Sequence, residues 1–180
     1  GLAGVGNRDQ AGVFAGLIGF IALSTLLIVW YRLPGVVAVV ALAIYIAIMC
    51  AILKLVPVTL TAAGIAGFVI SLGLAVDGNI LIAERLKEEL RAGRLIQDAI
   101  RVGFDRAWFS IRDSNLSSII TAAILFWFGS SLIQGFALTL GLGAIVSMLS
   151  AVTVSRIILM SLNAKNTKAT KFLFSSGFSQ

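Results

Sequence analysis

Long apolar stretches, separated by short polar or turn-forming segments, dominate the chain. They cover residues 13–31, 36–53, 58–82, 107–128 and 136–161. Each is close to the ~20 residues that a helix needs to cross a hydrocarbon core of ~30 Å. The first ends at Trp30-Tyr31-Arg32, an aromatic pair followed by a basic residue, which is typical of a membrane interface. The pattern predicts an all-α, polytopic membrane helix bundle with five transmembrane helices.

The segments around the predicted spans are polar and mostly short. Residues 1–12 are predicted to be a linker from a preceding extracytoplasmic domain, and residues 162–180 a cytoplasmic tail. Pro34-Gly35 and residues 129–135 predict turns. Residues 84–106 alternate charged and apolar side chains at helical spacing, which predicts an amphipathic helix on the cytoplasmic membrane face. A solvated connector between spans explains that last segment equally well.

Composition supports a lipid-facing bundle and excludes several kinds of site. The 180 residues are 59% hydrophobic and 12% charged, whereas the surface of a soluble domain must be largely polar. The chain has no histidine, which excludes His-based triads and most zinc sites. Its single cysteine, Cys50, allows no disulfide framework, and no phosphate-binding or dinucleotide motif occurs. We therefore expect no enzyme activity, no cofactor and no metal.

The basic residues are distributed unevenly along the chain, whose net charge is +6. If the first span runs from outside to inside, all of them except Arg8 and Lys54 lie on the cytoplasmic side. The positive-inside rule therefore predicts an extracytoplasmic N-terminal end and a cytoplasmic C-terminus. It also implies a sixth, upstream span that this chain lacks. Basic residues beside membrane spans predict contact with anionic lipid rather than with nucleic acid.

Asp77 is the strongest candidate for a functional residue. It lies in the third apolar stretch, seven residues before Glu84, which places it about 10 Å inside the helix end. A carboxylate at that depth costs ~2.5–3.5 kcal/mol on insertion scales. A buried acid whose protonation changes near the working pH can take up a proton on one side and release it on the other. We predict that Asp77 is buried and relays protons; a structural hydrogen bond between helices is the alternative.

Small residues recur every four positions in two of the predicted helices. Such spacing lets helix backbones approach closely, so we expect these two helices to pack together at the centre of the bundle. In the third stretch the small residues are Ala63, Gly67, Ser71 and Ala75, and in the last stretch they are Gly135, Thr139, Gly143, Ser147, Ala151 and Ser155.

Further polar residues lie near Asp77 in the sequence and at the start of the fourth stretch. Asn79 follows Asp77 by two residues, and Arg112, Asp113 and Asn115 stand at the cytoplasmic start of the next span. These three fit an interface anchor and helix cap as well as they fit partners of the Asp77 region. We keep all four as possible relay or partner residues.

Two extended motifs in this chain resemble those of the SecD branch of the SecD/SecF family of protein-export membrane subunits. The first is Gly73-Leu74-Ala75-Val76-Asp77-Gly78-Asn79-Ile80-Leu81-Ile82-Ala83-Glu84-Arg85, and the second combines Gly103-Phe104-Asp105-Arg106-Ala107, Asp113 to Leu116 and Leu125-Phe126-Trp127-Phe128-Gly129. The similarity extends over about residues 11 to 160. Gly78 replaces the usual Ala, and Ser117-Ser118 replace Thr-Thr, so these positions stay small or hydroxylated.

The resemblance implies an RND-like fold and a role in the Sec preprotein translocase of a bacterial or archaeal cytoplasmic membrane. Such a subunit uses the proton-motive force to assist protein export. Its partners are a SecF-like subunit, the Sec channel and preprotein substrates. The resemblance places the family's membrane acid at Asp77 and offers the SecF-like subunit as the source of its charged partner.

Two other functions stay open at this level. One is half of a different RND-type proton-coupled exporter, against which the Glu84–Glu89 charge cluster and the Leu125–Gly129 motif argue. The other is a structural membrane module that docks a partner without coupling protons. Replacement of Asp77 by Asn separates that module from a proton-coupled subunit.

Overall fold

The described part of the chain is a bundle of long helices. The structure is a computed structural model that describes residues 2–55, 62–155 and 157, and side chains are described from residue 14 except at 154 and 155. The helices are α1 (Leu2–Tyr31), α2 (Leu33–Leu55), α3 (Ala62–Arg91), α4 (Ile96–Phe128) and α5 (Ser131–Ser150), and a π-helical segment (Ala151–Ser155) continues α5. The predicted all-α class is confirmed.

Length and composition make four of the described helices able to cross a membrane: Phe14–Tyr31 of α1, all of α2, all of α3, and Ser131–Thr153. The remaining predicted span, 107–128, is helical within α4, but the polar residues from Arg112 to Ser118 make it less apolar. Its end is still strongly apolar on the outside, since Trp127 and Phe128 are 82% and 83% exposed. Large exposed apolar side chains of this kind suit a lipid environment.

The connection between α1 and α2 is tighter than the sequence predicts. Arg32 alone interrupts the helices, with a positive φ of 51°, and Pro34 and Gly35 already belong to the first turn of α2. Proline is tolerated there because the first N–H groups of a helix have no partner within it. A Cβ at Gly35 would overlap the backbone carbonyl of Leu27, so this glycine allows the two helices to meet closely.

The expected separate amphipathic helix over residues 84–106 is not present as one element. Its first half extends α3 to Arg91, and its second half begins α4 at Ile96. The break is at Gly93, whose φ of 86° suits glycine. Apolar positions continue at helical spacing on both sides of this turn, and each half packs its apolar side against the other. Ile82, Leu86, Ile100, Phe104 and Ile111 belong to this shared core.

Ion pairs hold the α3–α4 hairpin together at its tip. Glu89 is buried, and its two carboxylate oxygens accept hydrogen bonds from Arg94 Nε and Arg106 Nη1, each at 2.6 Å. A buried carboxylate is stable only when charged partners and hydrogen bonds compensate its lost hydration. The two arginines supply this compensation from the turn and from α4.

Helices α3 and α5 form the most extensive helix–helix contact in the described chain. Thr139 Oγ1 donates a hydrogen bond to the backbone oxygen of Gly64 at 2.9 Å. A Cβ at Gly143 would overlap the side chain of Ser71, and one at Gly67 would meet Thr139 Oγ1 and the Phe136 backbone. The small-residue spacing of the sequence predicts this contact, with Ala75 and Ser147 also buried.

Some sequence-based boundaries shift, and some lie outside the described residues. Residues 2–12, predicted as a linker, continue α1, and α5 begins at Ser131, within the segment predicted as a turn. The first residues of the third predicted span, 58–61, the last residues of the fifth, and the tail 162–180 lie outside the described residues.

We predict that Gly143→Ala destabilises the bundle by about 1–3 kcal/mol, because the added methyl group forces Ser71 and the two helix backbones apart. Gly73→Ala is the matched control, since a Cβ there meets nothing within 4 Å. Thermal unfolding in detergent checks both variants. Equal midpoints for the two proteins would show that the α3–α5 contact is not close-packed.

Candidate functional site around Asp77

Three consecutive residues of α3 form the centre of the candidate site. Gly78 and Asn79 are buried among the helices, whereas Asp77 is exposed. The inward face of α3 is defined by Ser71, Ala75 and their neighbours. Asp77 is two residues beyond Ala75 and therefore about 200° around the helix from it. The prediction that Asp77 is buried within the bundle is wrong for this chain, because packing on α5 turns the opposite face of α3 inward.

The carboxylate of Asp77 has no hydrogen-bond or ion-pair partner among the described residues. It nevertheless lies well inside an apolar helix that is long enough to cross a membrane. An unpaired carboxylate in hydrocarbon is costly, and intramembrane acids almost always face a partner or a water-filled cavity. The side of α3 that carries Asp77 is therefore suited to face polar groups that the described chain does not supply.

Gly78 leaves a small space between α3, α4 and the π-helical segment. A Cβ there would lie 3.8 Å from Ala151 Cβ and 3.9 Å from Ile111 Cγ1, which are ordinary van der Waals distances. An alanine, which is usual here in the family that the sequence motifs resemble, therefore fits this position without displacing Ile111 or Ala151.

Two asparagines are buried in this part of the bundle, one on α3 and one on α4. Asn79 Nδ2 donates to the Ala75 backbone oxygen at 2.9 Å, and Asn115 Nδ2 donates to the Ile111 backbone oxygen at 2.9 Å. Among the described atoms the buried Asn115 Oδ1 has no hydrogen-bond donor. Asn115 is one turn beyond Ile111, the residue that packs near Gly78. Among the described residues no hydrogen bond joins Asn115 to Asp77, and the two side chains are placed differently, since Asn115 is buried and Asp77 is exposed.

Arg112 and Asp113 pair with each other instead of with Asp77. Arg112 Nη2 lies 3.0 Å from Asp113 Oδ1, and both side chains are exposed. The guanidinium also stands over the ring of Phe109, 5.5 Å from its centroid. An exposed pair of this kind contributes little to stability, so both side chains are free to rearrange towards another partner.

Sequence reasoning missed the hydroxyl contacts inside the bundle. The Tyr45 hydroxyl lies 2.8 Å from Ser71 Oγ, and Ser150 Oγ donates to the Ala41 backbone oxygen at 3.1 Å. A tyrosine within an apolar run is a signal for such a contact, because its buried hydroxyl needs a partner. These bonds attach α2 to the α3–α5 pair.

Potential metal ligands are not clustered in the described part of the bundle. Among the described residues no group of three or more His, Cys, Asp or Glu side chains is placed to hold a metal ion. The candidate site comprises the outward carboxylate of Asp77 and the inward amides of Asn79 and Asn115. Among these three groups only the carboxylate is ionisable.

Residues 6–165 match the profile of a family described as "Protein export membrane protein SecD/SecF, C-terminal". The chain belongs to the SecD/SecF family. The match covers both motifs on which the resemblance rests, together with the helices that carry them. Because the match covers residues 6–165, it confirms the resemblance to the SecD/SecF family that the sequence motifs indicate.

Individual relatives agree with this family. A protein from Thermobaculum terrenum named "Protein translocase subunit SecD" is 58% identical over 162 residues, covering 87% of this chain and 32% of the relative. A protein of the same name from Synechocystis is 51% identical over 146 residues, covering 81% of this chain and 31% of the relative. This chain thus spans about a third of the length of these SecD proteins, which are named as translocase subunits.

A solved structure supports the fold. The chain matches "Crystal structure of SecDF in Super-membrane-facing form" with a TM-score of 0.81 and 40% sequence identity, covering 85% of this chain and 21% of that one. The five-helix bundle is therefore a membrane region of the SecDF type. Together with its apolar helices, this makes the protein a multi-pass membrane protein.

We predict that Gly78→Ala preserves folding and stability, because the methyl group occupies the space between Ile111 and Ala151. Gly78→Leu is expected to lower the melting temperature, since the larger side chain must displace both neighbours. Thermal unfolding in detergent checks the pair. A large loss of stability with alanine would contradict the packing described for this position.

Proposed function

We propose that the intact protein is a subunit of the Sec preprotein translocase complex that uses the proton-motive force to assist protein export. The membrane is the cytoplasmic membrane, and the part described here is the proton-coupling bundle. The observation that carries the proposal is Asp77, an unpaired carboxylate within an apolar helix of a SecD-type bundle. Proton relays in transporters are built from intramembrane acids of this kind.

The coupling rests on a change in the charge of Asp77. Moving one elementary charge across 100 mV is worth about 2.3 kcal/mol, which is enough to shift a two-state conformational equilibrium appreciably. Proton uptake neutralises the Asp77 carboxylate, so that the side of α3 that carries it can move from polar into apolar surroundings. Proton release restores the charge and reverses this movement. Asn79 and Asn115 belong to the same region as candidate relay residues.

A SecF-like subunit is the proposed partner on the Asp77 side of α3. Family membership and the likeness to SecDF support this partner, and the exposed Asp77 and the exposed Arg112–Asp113 pair give a polar surface for it. The Sec channel and preproteins are the further partners. Anionic lipid is proposed to contact the basic side, which the charge distribution assigns to the cytoplasm.

We predict that Asp77→Asn in the full-length subunit, assembled in its native membrane, reduces proton-driven export and proton flux by about 100-fold or more, as expected for loss of an essential acid–base group. Asparagine has nearly the same size, so the amount of folded subunit is expected to stay normal. The proton-driven component is measured in membrane vesicles as the part of export that a protonophore abolishes.

Asp98→Asn is the matched control, because Asp98 is an exposed carboxylate in the first turn of α4. It is expected to leave proton-driven export unchanged. Undiminished proton-driven export with Asp77→Asn would refute proton coupling through this residue and favour a structural membrane module.

A further inference from the structure

A second polar cluster, formed by Glu84, Lys87 and Tyr31, lies at the charged end of α3. Lys87 Nζ lies 3.3 Å from Glu84 Oε1, and the Lys87 side chain is 6% exposed. The same ammonium stands 4.2 Å from the centroid of the Tyr31 ring. One carboxylate is thus paired with a buried cation of its own helix, and that cation lies over a tyrosine ring of α1.

Burial of the Lys87 ammonium is unfavourable unless its lost hydration is compensated. The Glu84 carboxylate and the face of the Tyr31 ring provide that compensation. Because Lys87 is fixed by its burial, its pairing with Glu84 restricts the rotamers of the otherwise flexible Glu84 side chain. Its own side chain is 43% exposed, so it remains in reach of water.

The helical register aligns Glu84 with Asp77. The two residues are seven positions apart, which is two turns, about 10 Å along α3 and about 20° around it. Asp77 is exposed, and Glu84 is partly exposed. The half-buried Ile80 and Leu81 lie between them. Both carboxylates therefore lie on one outward stripe of α3.

The other acids at this end of α3 are placed differently. Glu88 is one turn farther from Asp77 and is held by Arg85 at 2.6 Å. Glu89 is buried and is held by Arg94 and Arg106. Along the outward stripe, Glu84 is thus the acid nearest to Asp77 on the side of the charged hairpin.

We propose that Glu84 is a second proton-exchanging carboxylate that acts in series with Asp77 and is held in place by Lys87, whose ammonium lies over the Tyr31 ring. This inference rests on the proposed function and on the proposed orientation, in which the hairpin is cytoplasmic. The proton on the Asp77 carboxyl group passes through hydrogen-bonded water to the Glu84 carboxylate, leaving Asp77 ionised. Glu84 then releases the proton to cytoplasmic water and returns to its paired, ionised state.

The test uses the full-length subunit assembled in inverted membrane vesicles, with proton flux and protonophore-sensitive export measured per folded subunit. Glu84→Gln is expected to reduce the proton-driven component towards the level of Asp77→Asn. Glu84→Asp, which keeps the carboxylate, is expected to restore most of it. Asp98→Asn serves again as the control at the same end of the bundle.

A second pair of variants separates proton exchange from folding. Glu84→Gln leaves Lys87 buried without its counter-charge, so the double variant Glu84→Gln/Lys87→Gln removes both charges. We expect this double variant to fold and still to lose the proton-driven component, whereas Lys87→Gln alone, which keeps the Glu84 carboxylate but removes its anchor, is expected to lower that component only in part. A purely structural role would instead make the loss follow the disruption of the pair, so that Lys87→Gln fails as fully as Glu84→Gln and the double variant recovers.

The outcomes also distinguish this inference from the proposed function. Normal proton-driven export with Glu84→Gln, together with its loss in Asp77→Asn, would overturn the role of Glu84 and leave proton coupling intact. Normal proton-driven export with Asp77→Asn would refute both.

Discussion

The close approach of α3 and α5 is the contact on which the arrangement of the other helices depends. Gly143 has room for only a hydrogen atom against Ser71, and Gly67 has the same relation to Thr139. In lipid there is little hydrophobic force between helices, so van der Waals packing and interhelical hydrogen bonds hold them together. The bond from Tyr45 to Ser71 then attaches α2 to this pair at 2.8 Å. A larger residue on this contact line would move three helices at once.

The same contact sets the rotation of α3 and thereby the direction of its charged residues. With Ser71 turned towards α5, Asp77 faces outward and Gly78 faces α4 and the π-helical segment. Glu89 then faces inward and pairs across the hairpin with Arg106, while Glu84 shares the outward side with Asp77. An outward carboxylate in an apolar helix requires polar surroundings. In the proposed complex, the SecF-like subunit supplies them.

Local signals predicted the helices better than their ends. The Pro34-Gly35 turn signal is also compatible with the first turn of a helix, and the structure uses it in that way, with the break at Arg32. Residues 84–106 have amphipathic spacing, but the same spacing suits two helices that pack on each other around Gly93. Periodicity reports that one face is apolar; it does not report whether lipid or a neighbouring helix covers that face.

The sequence by itself determined that lipid is the solvent, that the chain is helical, that it belongs to the SecD/SecF family, and that one costly acid lies in an apolar stretch. Only the tertiary structure decided that Asp77 faces away from this bundle and that Lys87 meets Tyr31. The physical reason is that helical periodicity sets the angles between residues of one helix, whereas packing against other helices sets where each face points. Contacts between distant segments follow from that packing alone.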